Sequence, residues 1–245
     1  MSSLKTPLGI VRIIIILIVL TTTIMVQVFT GLFSPNWIFL FGSAMIVFLA
    51  LVNFLEGKDD EKWSRFLLLM FIAMLVCSLA DFLMAGVFAI LPVDSLINGV
   101  LFFLLGHVIY ILALRNISPL LFRSESPRLI TRNLLIWIVG IVIVFILFFF
   151  TLFNPTDMVI SIGLFVYGIF LSSSLLFSIT KHFDDFPQLF SLCLIIGFVL
   201  FFVSDYILGL SILQGISFSG VEAVGVTYLL GQLIIHLSPI FRSKQ

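Results

Sequence analysis

The sequence Asn133–Phe153, NLLIWIVGIVIVFILFFFTLF, decides the fold class of this protein. It contains twenty-one residues and no charged side chain. A helix needs about 20 consecutive apolar residues to cross roughly 30 Å of hydrocarbon, so this stretch is long enough to span a membrane. The stretch therefore predicts a transmembrane helix.

The whole chain shares the apolar character of this stretch. Of its 245 residues, 62% are hydrophobic, 10% are charged and 29 are Phe. Soluble domains have about half apolar and a quarter charged residues, and a soluble fold of this composition would leave large apolar patches in water. The composition therefore indicates a polytopic membrane protein. It excludes a nucleic-acid-binding protein, a soluble Rossmann-type enzyme and a secreted disulfide scaffold.

Similar apolar runs along the chain predict an all-α protein with eight transmembrane helices in a single domain, residues 1–245. Turn-forming sequences such as Asn154-Pro155-Thr156-Asp157 separate the runs. The predicted spans are residues 10–32, 36–55, 66–91, 95–114, 133–153, 158–180, 188–213 and 220–240.

The positions of the cationic residues predict the orientation of these spans. Lys and Arg concentrate in cytoplasmic loops. With a cytoplasmic N-terminus and eight spans, all 12 Lys and Arg residues fall on one side of the membrane or at its boundary. The opposite side carries only Asp94, Asp157 and Glu222. We therefore expect both termini in the cytoplasm, with the protein in the cell membrane of a prokaryote or in the endoplasmic reticulum of a eukaryote.

Two pairs of spans resemble each other. Ala80-Asp81-Phe82-Leu83 in span three matches Ser204-Asp205-Tyr206-Ile207 in span seven, and Leu104-Leu105-Gly106-His107 in span four matches Leu229-Leu230-Gly231-Gln232 in span eight. The match predicts two parallel four-helix halves, residues 1–120 and 130–245, related by an axis along the membrane normal. Chance similarity between Leu-rich helices is the alternative.

Two carboxylates lie inside the predicted spans, Asp81 and Asp205, whereas the other ten acidic residues lie in loops or at span ends. A charged side chain at mid-bilayer costs about 2.5–3.5 kcal/mol or more, so a functional role is the first interpretation. A carboxylate that only links packed helices is the alternative. From the helical rise we expect Asp81 at about 16 Å and Asp205 at about 13 Å from the outer ends of their spans.

Other polar side chains are expected at a similar depth. His107 and Tyr110 share one face of span four, and Tyr228, Gln232 and His236 recur every four residues on span eight. Together with the two aspartates they could line one buried cavity. Interhelical hydrogen bonds without a further function are the alternative. The two cysteines and three histidines lack metal-ligand spacing, so we expect no metal and no other cofactor.

At these residues the chain resembles the YhhN-type lysoplasmalogenase family, which are multispan hydrolases of vinyl-ether lipids. The family's Gly/Ala-Asp-x-x-Leu and His-x-x-Tyr elements are similar to Ala80-Asp81-Phe82-Leu83 and His107-Val108-Ile109-Tyr110. Its later Ser-Asp, Thr-Tyr and Gln elements are similar to Ser204-Asp205, Thr227-Tyr228 and Gln232. The Lys that the family carries in an early span has no counterpart in span two.

The resemblance implies cleavage of the vinyl-ether bond of a lysophospholipid, a 1-alkenyl-glycerophosphoethanolamine or -choline, to a fatty aldehyde and a glycerophospho-base. Under this hypothesis Asp81 and Asp205 are the catalytic carboxyl groups, one acting as the acid and the other opposing the cationic intermediate, as paired carboxyls do in glycosidases. The substrate-binding residues are then His107, Tyr110, Tyr228 and Gln232. The expected partners are the lysophospholipid and membrane lipid.

A proton-coupled or small-molecule transporter is the competing interpretation. Parallel repeats with acidic residues near the midplane also occur in secondary transporters. Transport helices are commonly interrupted by Gly or Pro, however, and here every proline lies in a loop or at a span end. A purely structural membrane scaffold would leave both buried aspartates unexplained.

Overall fold

A computed structural model describes residues 7–28, 37–117, 127–182, 186–216 and 222–242. Within these ranges the chain forms eight long helices and no strand, which confirms the all-α prediction. All eight are long and apolar enough to cross a membrane. In chain order the helices are α1 (Pro7–Val28), α2 (Trp37–Gly57), α3 (Ser64–Met84), α4 (Ser95–Ile117), α5 (Pro127–Leu147), α6 (Met158–His182), α7 (Gln188–Gln214) and α8 (Glu222–Leu237).

Prolines lie at the boundaries of several helices. Pro7 and Pro127 begin α1 and α5, and Pro187 immediately precedes α7. The first turn of a helix tolerates proline because its N–H groups have no partner within the helix. α5 continues as a π-helical segment, Phe148–Leu152, and α8 continues as a short 3-10 helix, Ser238–Phe241.

The end of α3 differs from the sequence prediction. The helix ends at Met84, whereas the predicted span continued to residue 91. Gly86 has a φ of +70°, and the amides of Gly86 and Val87 donate to the carbonyl groups of Leu83 and Phe82. This is a Schellman motif, in which a left-handed residue, usually glycine, closes the last helical turn. The residues that follow are still apolar, so the hydropathy stays high after the helix has ended.

This earlier helix end changes the expected position of Asp81. Asp81 is three positions before Met84, so it lies about 4.5 Å along the axis from the end of α3, not at the about 16 Å expected from the sequence. Asp81 is nevertheless only 4% exposed. Side chains of α2 and α8 bond its carboxyl group at this end of α3.

The most extensive helix contacts are those of α3 with α4 and of α7 with α8. Glycines permit this close approach. A Cβ atom added to Gly106 on α4 would lie 2.5 Å from the sulfur of Cys77 on α3, and one added to Gly231 on α8 would lie 2.9 Å from the carbonyl oxygen of Gly197 on α7. Small residues at such crossings let helix backbones pack closely in a membrane.

The two helix pairs make matching contacts. Gly106 also lies against the carbonyl oxygen of Ala73. When Asp81 is aligned with Asp205, Ala73 aligns with Gly197, the residue that Gly231 contacts. These matching contacts support the internal duplication, which stays a prediction.

The start of α1 lies beside the ends of α2 and α8. Arg12, which is 1% exposed, donates to Asn53 Oδ1 over 3.0 Å and forms an ion pair with Glu56. Asn53 Nδ2 donates to the carbonyl oxygen of His236 over 2.6 Å. We call this end of the bundle, marked by Arg12 and Asn53, the terminal end, and the opposite one the distal end. Placement of the terminal end in the cytoplasm stays a prediction.

Candidate active site

Asp81 on α3 accepts hydrogen bonds from two hydroxyl groups. Ser43 Oγ on α2 lies 2.5 Å from Asp81 Oδ2, and Tyr228 Oη on α8 lies 2.9 Å from the same oxygen. All three side chains are buried. Hydrogen bonds to an ionised acceptor are about twice as strong as neutral ones, so three helices are joined firmly when this carboxyl group is ionised.

Asp205 on α7 has a different partner and a different environment. Tyr167 on α6 donates its hydroxyl hydrogen bond to Asp205 Oδ2. Asp205 lines two small cavities, one against α5 and α6 and one against α4 and α6, whereas Asp81 lines neither. Within the described ranges, no hydrogen bond joins Asp81 to Asp205.

Aromatic rings connect the surroundings of the two carboxyl groups. The ring of Phe103 on α4 lies 5.9 Å from that of Tyr228 and 6.5 Å from that of Tyr167, measured between centroids. Each tyrosine bonds one aspartate, so Phe103 is a neighbour of both phenol rings. We call the group of Asp81, Tyr228, Phe103, Tyr167 and Asp205 the carboxylate layer.

The remaining predicted side chains form a second buried group nearer the terminal end, which we call the polar layer. Tyr110 donates to Gln232 Oε1 over 2.9 Å, and its hydroxyl oxygen lies 3.0 Å from His236 Nε2. His107 Nδ1 lies 3.3 Å from Ser174 Oγ on α6. The structure therefore brings together Tyr110 and Gln232 as a bonded pair, and it places His107 beside them with its ring 6.0 Å from that of Tyr110.

Three nitrogen atoms of the polar layer have spare hydrogen-bonding capacity. His107 Nε2, Gln232 Nε2 and His236 Nδ1 are buried, and none of them has a hydrogen-bond partner within the described part of the chain. A buried polar atom without a partner costs about 1–3 kcal/mol. Such atoms are suited to bind the oxygen atoms of a polar ligand or of water.

Several partners of the site were not predicted from the sequence, namely Ser43, Tyr167 and Ser174. Ser43 and Tyr167 each lie 38 positions before the aspartate that they bind. The alignment that matches the two aspartates therefore also matches their hydroxyl donors. This spacing was a signal in the sequence, whereas Ser174 carried none beyond its place among small residues.

No group of three His, Cys, Asp or Glu side chains that could hold a metal ion occurs in the described ranges. Cys77 on α3 is buried and Cys193 on α7 is partly buried, and both are free thiols. The side chains available to the site are therefore carboxyl, phenol, hydroxyl, amide and imidazole groups, which suit proton transfer and hydrogen bonding.

Comparison with known proteins assigns the chain to a family. Residues 37–239 match the model of the YhhN family. The match covers most of the chain, from the first residue of α2 to beyond the end of α8, and includes both aspartates and their partners. No curated protein and no solved structure matches the chain. The resemblance inferred from the sequence motifs is thus confirmed, and the chain belongs to the YhhN family.

Proposed function

We propose that this protein is a multi-pass membrane hydrolase that cleaves the vinyl-ether bond of a lysophospholipid, releasing a fatty aldehyde and a glycerophospho-base. Membership of the YhhN family fits an activity of the lysoplasmalogenase type. The observation that carries the proposal is the presence of two carboxyl groups inside apolar helices, each held by a tyrosine hydroxyl from another helix. Such groups are costly to place in a membrane, which favours a chemical role.

The reaction requires an acid and one water molecule. Proton transfer to the β-carbon of the alkenyl group converts the C=C–O unit into an oxocarbenium ion. Water adds to the cationic carbon and gives up a proton, and the resulting hemiacetal breaks its bond to the glycerol oxygen. The products are the aldehyde and the free glycerol hydroxyl, and the acid is restored. Proton transfer by a positioned side chain contributes about 10²–10⁴-fold to such rates.

We assign contact with the reacting carbon atoms to Asp205. Asp205 lines two small cavities of the bundle, of about 50 and 20 Å³, whereas Asp81 lines neither, so Asp205 is the carboxyl group that lies next to open space. Tyr167 occupies one carboxyl oxygen, Oδ2, which leaves Oδ1 to face the substrate. Asp81 supplies the second carboxyl group, whose negative charge would oppose the developing cation as in glycosidases.

We assign binding of the polar part of the substrate to His107, Tyr110, Tyr228 and Gln232. Tyr110 and Gln232 have no exposed surface, and neither has His107. A glycerol oxygen or a water molecule that reaches the unpartnered His107 Nε2 therefore needs the helices of the polar layer to part. Opening of this kind is a common conformational step in enzymes with enclosed sites.

The proposal is tested by measuring aldehyde release from 1-alkenyl-lysophosphoethanolamine and 1-alkenyl-lysophosphocholine by the purified protein in lipid nanodiscs. We expect stoichiometric release of aldehyde and glycerophospho-base from at least one of the two substrates. A parallel measurement follows uptake of the same lipids by vesicles that contain the protein. Uptake without chemical change would contradict a hydrolase and favour a carrier.

A further inference from the structure

A groove lies between the first halves of α4 and α6, near the distal end of the bundle. Its volume is about 290 Å³, close to the lower end of the about 300–1,000 Å³ that is typical of small-molecule sites. Tyr167 is the only lining side chain that carries a polar atom. Among the apolar lining residues are Leu96, Val100 and Leu104 on α4 and Val159 and Leu164 on α6.

The groove is closed toward the terminal end and open toward the surface of the bundle. Below it α4 and α6 come together, with His107 Nδ1 3.3 Å from Ser174 Oγ. At its rim Val159 is 81% exposed and Leu101 is 43% exposed. In a helix bundle that crosses a membrane, this rim faces lipid hydrocarbon, so the groove is accessible from the side and not only from water.

Tyr167 connects the groove to the carboxylate layer. Its ring lines the groove, and its hydroxyl donates to Asp205. A smaller cavity that Asp205 also lines shares four lining residues with the groove, namely Leu96, Val100, Leu164 and Tyr167. From the distal toward the terminal end, the bundle therefore contains first the groove, then Asp205 and then the polar layer.

We propose that this groove binds the hydrocarbon chain of the lysophospholipid and admits the chain laterally from the membrane; this inference rests on the proposed hydrolase function. The vinyl ether lies where the hydrocarbon chain of such a lipid meets its glycerol oxygen. A chain that lies in the groove therefore places the ether beside Asp205. The glycerophosphate part then points toward His107 and Gln232, whose Nε2 atoms have no partner in the described part of the chain.

Gly163 on α6 is the position that tests the groove. Gly163 lines it, and a Cβ atom added there meets no atom within 4 Å. A larger side chain at this position fills the groove without disturbing the packing, and residues other than glycine favour the helix. Its neighbour Ile162 is 52% exposed and does not line the groove, so Ile162→Phe is the matched control.

The first experiment measures aldehyde release in nanodiscs by Gly163→Ala, Gly163→Leu and Gly163→Phe, with a hexadecenyl lysophospholipid and with a butenyl one, whose chain is too short to extend past Gly163 when its ether lies beside Tyr167. Each buried methylene group contributes about fourfold to affinity. Because the Phe side chain in Gly163→Phe excludes two or more methylene groups from the groove, we expect KM for the long chain to rise about tenfold or more. We expect a graded increase from Ala to Phe, little change for the short chain and an unchanged kcat. Equal KM values for the long chain in wild type and Gly163→Phe would overturn the inference.

The second experiment detects binding without hydrolysis. A saturated ether analogue of the lysophospholipid, with a photoreactive diazirine near the end of its chain, is irradiated with the protein in nanodiscs. We expect labelling of α4 and α6 peptides that contain Leu101 and Val159, displacement by unlabelled lysophospholipid, and loss of the label in Gly163→Phe but not in Ile162→Phe. Label elsewhere, or label that a diacyl phospholipid displaces equally well, would contradict a substrate groove. If the wild type releases no aldehyde, the proposed hydrolysis fails, and this labelling alone decides whether the groove binds the lipid.

Discussion

Tyr167 on α6 donates its hydroxyl hydrogen bond to Asp205 on α7, 38 positions further along the chain. Ser43 on α2 stands in the same relation to Asp81 on α3. In the alignment of the two predicted halves, corresponding helices therefore bond the two carboxyl groups, but they do so with different side chains. The phenol of Tyr167 reaches from a ring that lines a lipid-facing groove, so the environments of the two aspartates differ.

The variant Tyr167→Phe tests the role of this hydroxyl group. It keeps the ring and its contact with Phe103, but it removes the hydrogen bond to Asp205. A hydrogen bond to a charged group contributes about 1.5–3 kcal/mol, so we expect kcat for aldehyde release to fall about 10–100-fold with little change in KM. Tyr206→Phe is the control, because the Tyr206 hydroxyl donates to Thr151 Oγ1 over 2.8 Å and not to a carboxylate. Equal losses in the two variants would argue against a specific role of Tyr167.

The donors to Asp81 are tested by Ser43→Ala, Tyr228→Phe and the double variant. Both hydroxyl groups bond the same carboxyl oxygen, and groups that share a partner show non-additive effects of about 0.5–3 kcal/mol. We expect each single variant to release aldehyde more slowly than wild type. We also expect the fold-loss in the double variant to differ from the product of the two single fold-losses. Ser173→Ala is the control, since Ser173 Oγ bonds the carbonyl oxygen of Ile169 in its own helix. Independent effects of the two substitutions would show that they do not act through one carboxylate.

The close crossing of α7 and α8 predicts that Gly231→Ala destabilises the protein. An added Cβ atom would lie 2.9 Å from the Gly197 carbonyl oxygen, which is backbone and cannot move aside alone. Overpacking of this kind costs about 1–3 kcal/mol, so we expect a lower Tm in nanodiscs. Gly163→Ala is the matched control, because the same added atom there meets open space. A Tm for Gly231→Ala at or above the wild-type value would contradict the close packing of α8 against α7 at this position.

The buried ion pair at the terminal end predicts that removing one of its two charges lowers Tm more than replacing both residues does. Arg12 is 1% exposed and Glu56 is 15% exposed, so Glu56→Gln leaves the more deeply buried charge without its carboxylate. Removing one partner of a buried pair costs about 3–5 kcal/mol, whereas replacing both is often nearly neutral. We therefore expect a larger loss of Tm in Glu56→Gln than in Arg12→Met/Glu56→Gln. A double variant less stable than Glu56→Gln would contradict this role.

The helices and the two aspartates could be predicted from the sequence because apolar runs and charges both strongly change the free energy of placing a segment in a membrane. Long apolar runs reveal the spans, and a charge inside a span is costly enough to be noticed. The end of α3 was missed because Val87, Phe88 and Leu91 keep the hydropathy high beyond the Schellman motif at Gly86. Hydropathy measures the solvent preference of a segment and not its backbone conformation.

The partners of the aspartates were harder to predict for a related reason. A tyrosine or serine costs little free energy inside a membrane span, so Tyr167 and Ser43 do not stand out by composition. Only the alignment of the two halves identifies them, because each lies the same distance before its aspartate. The groove beside Gly163 depends on how α4 and α6 separate, and no local pattern in the sequence encodes that separation.

Hydrolysis by Asp205 and Asp81 is tested most directly by single-turnover aldehyde release from an alkenyl-lysophospholipid. The rate is measured in nanodiscs for wild type, Asp205→Asn and Asp81→Asn. Thermal unfolding of each variant shows whether its fold is intact. We predict that both folded variants lose about 10²-fold or more of the rate, as expected when a proton-transferring carboxyl group is removed. A near wild-type rate in either folded variant would contradict the two-carboxylate account.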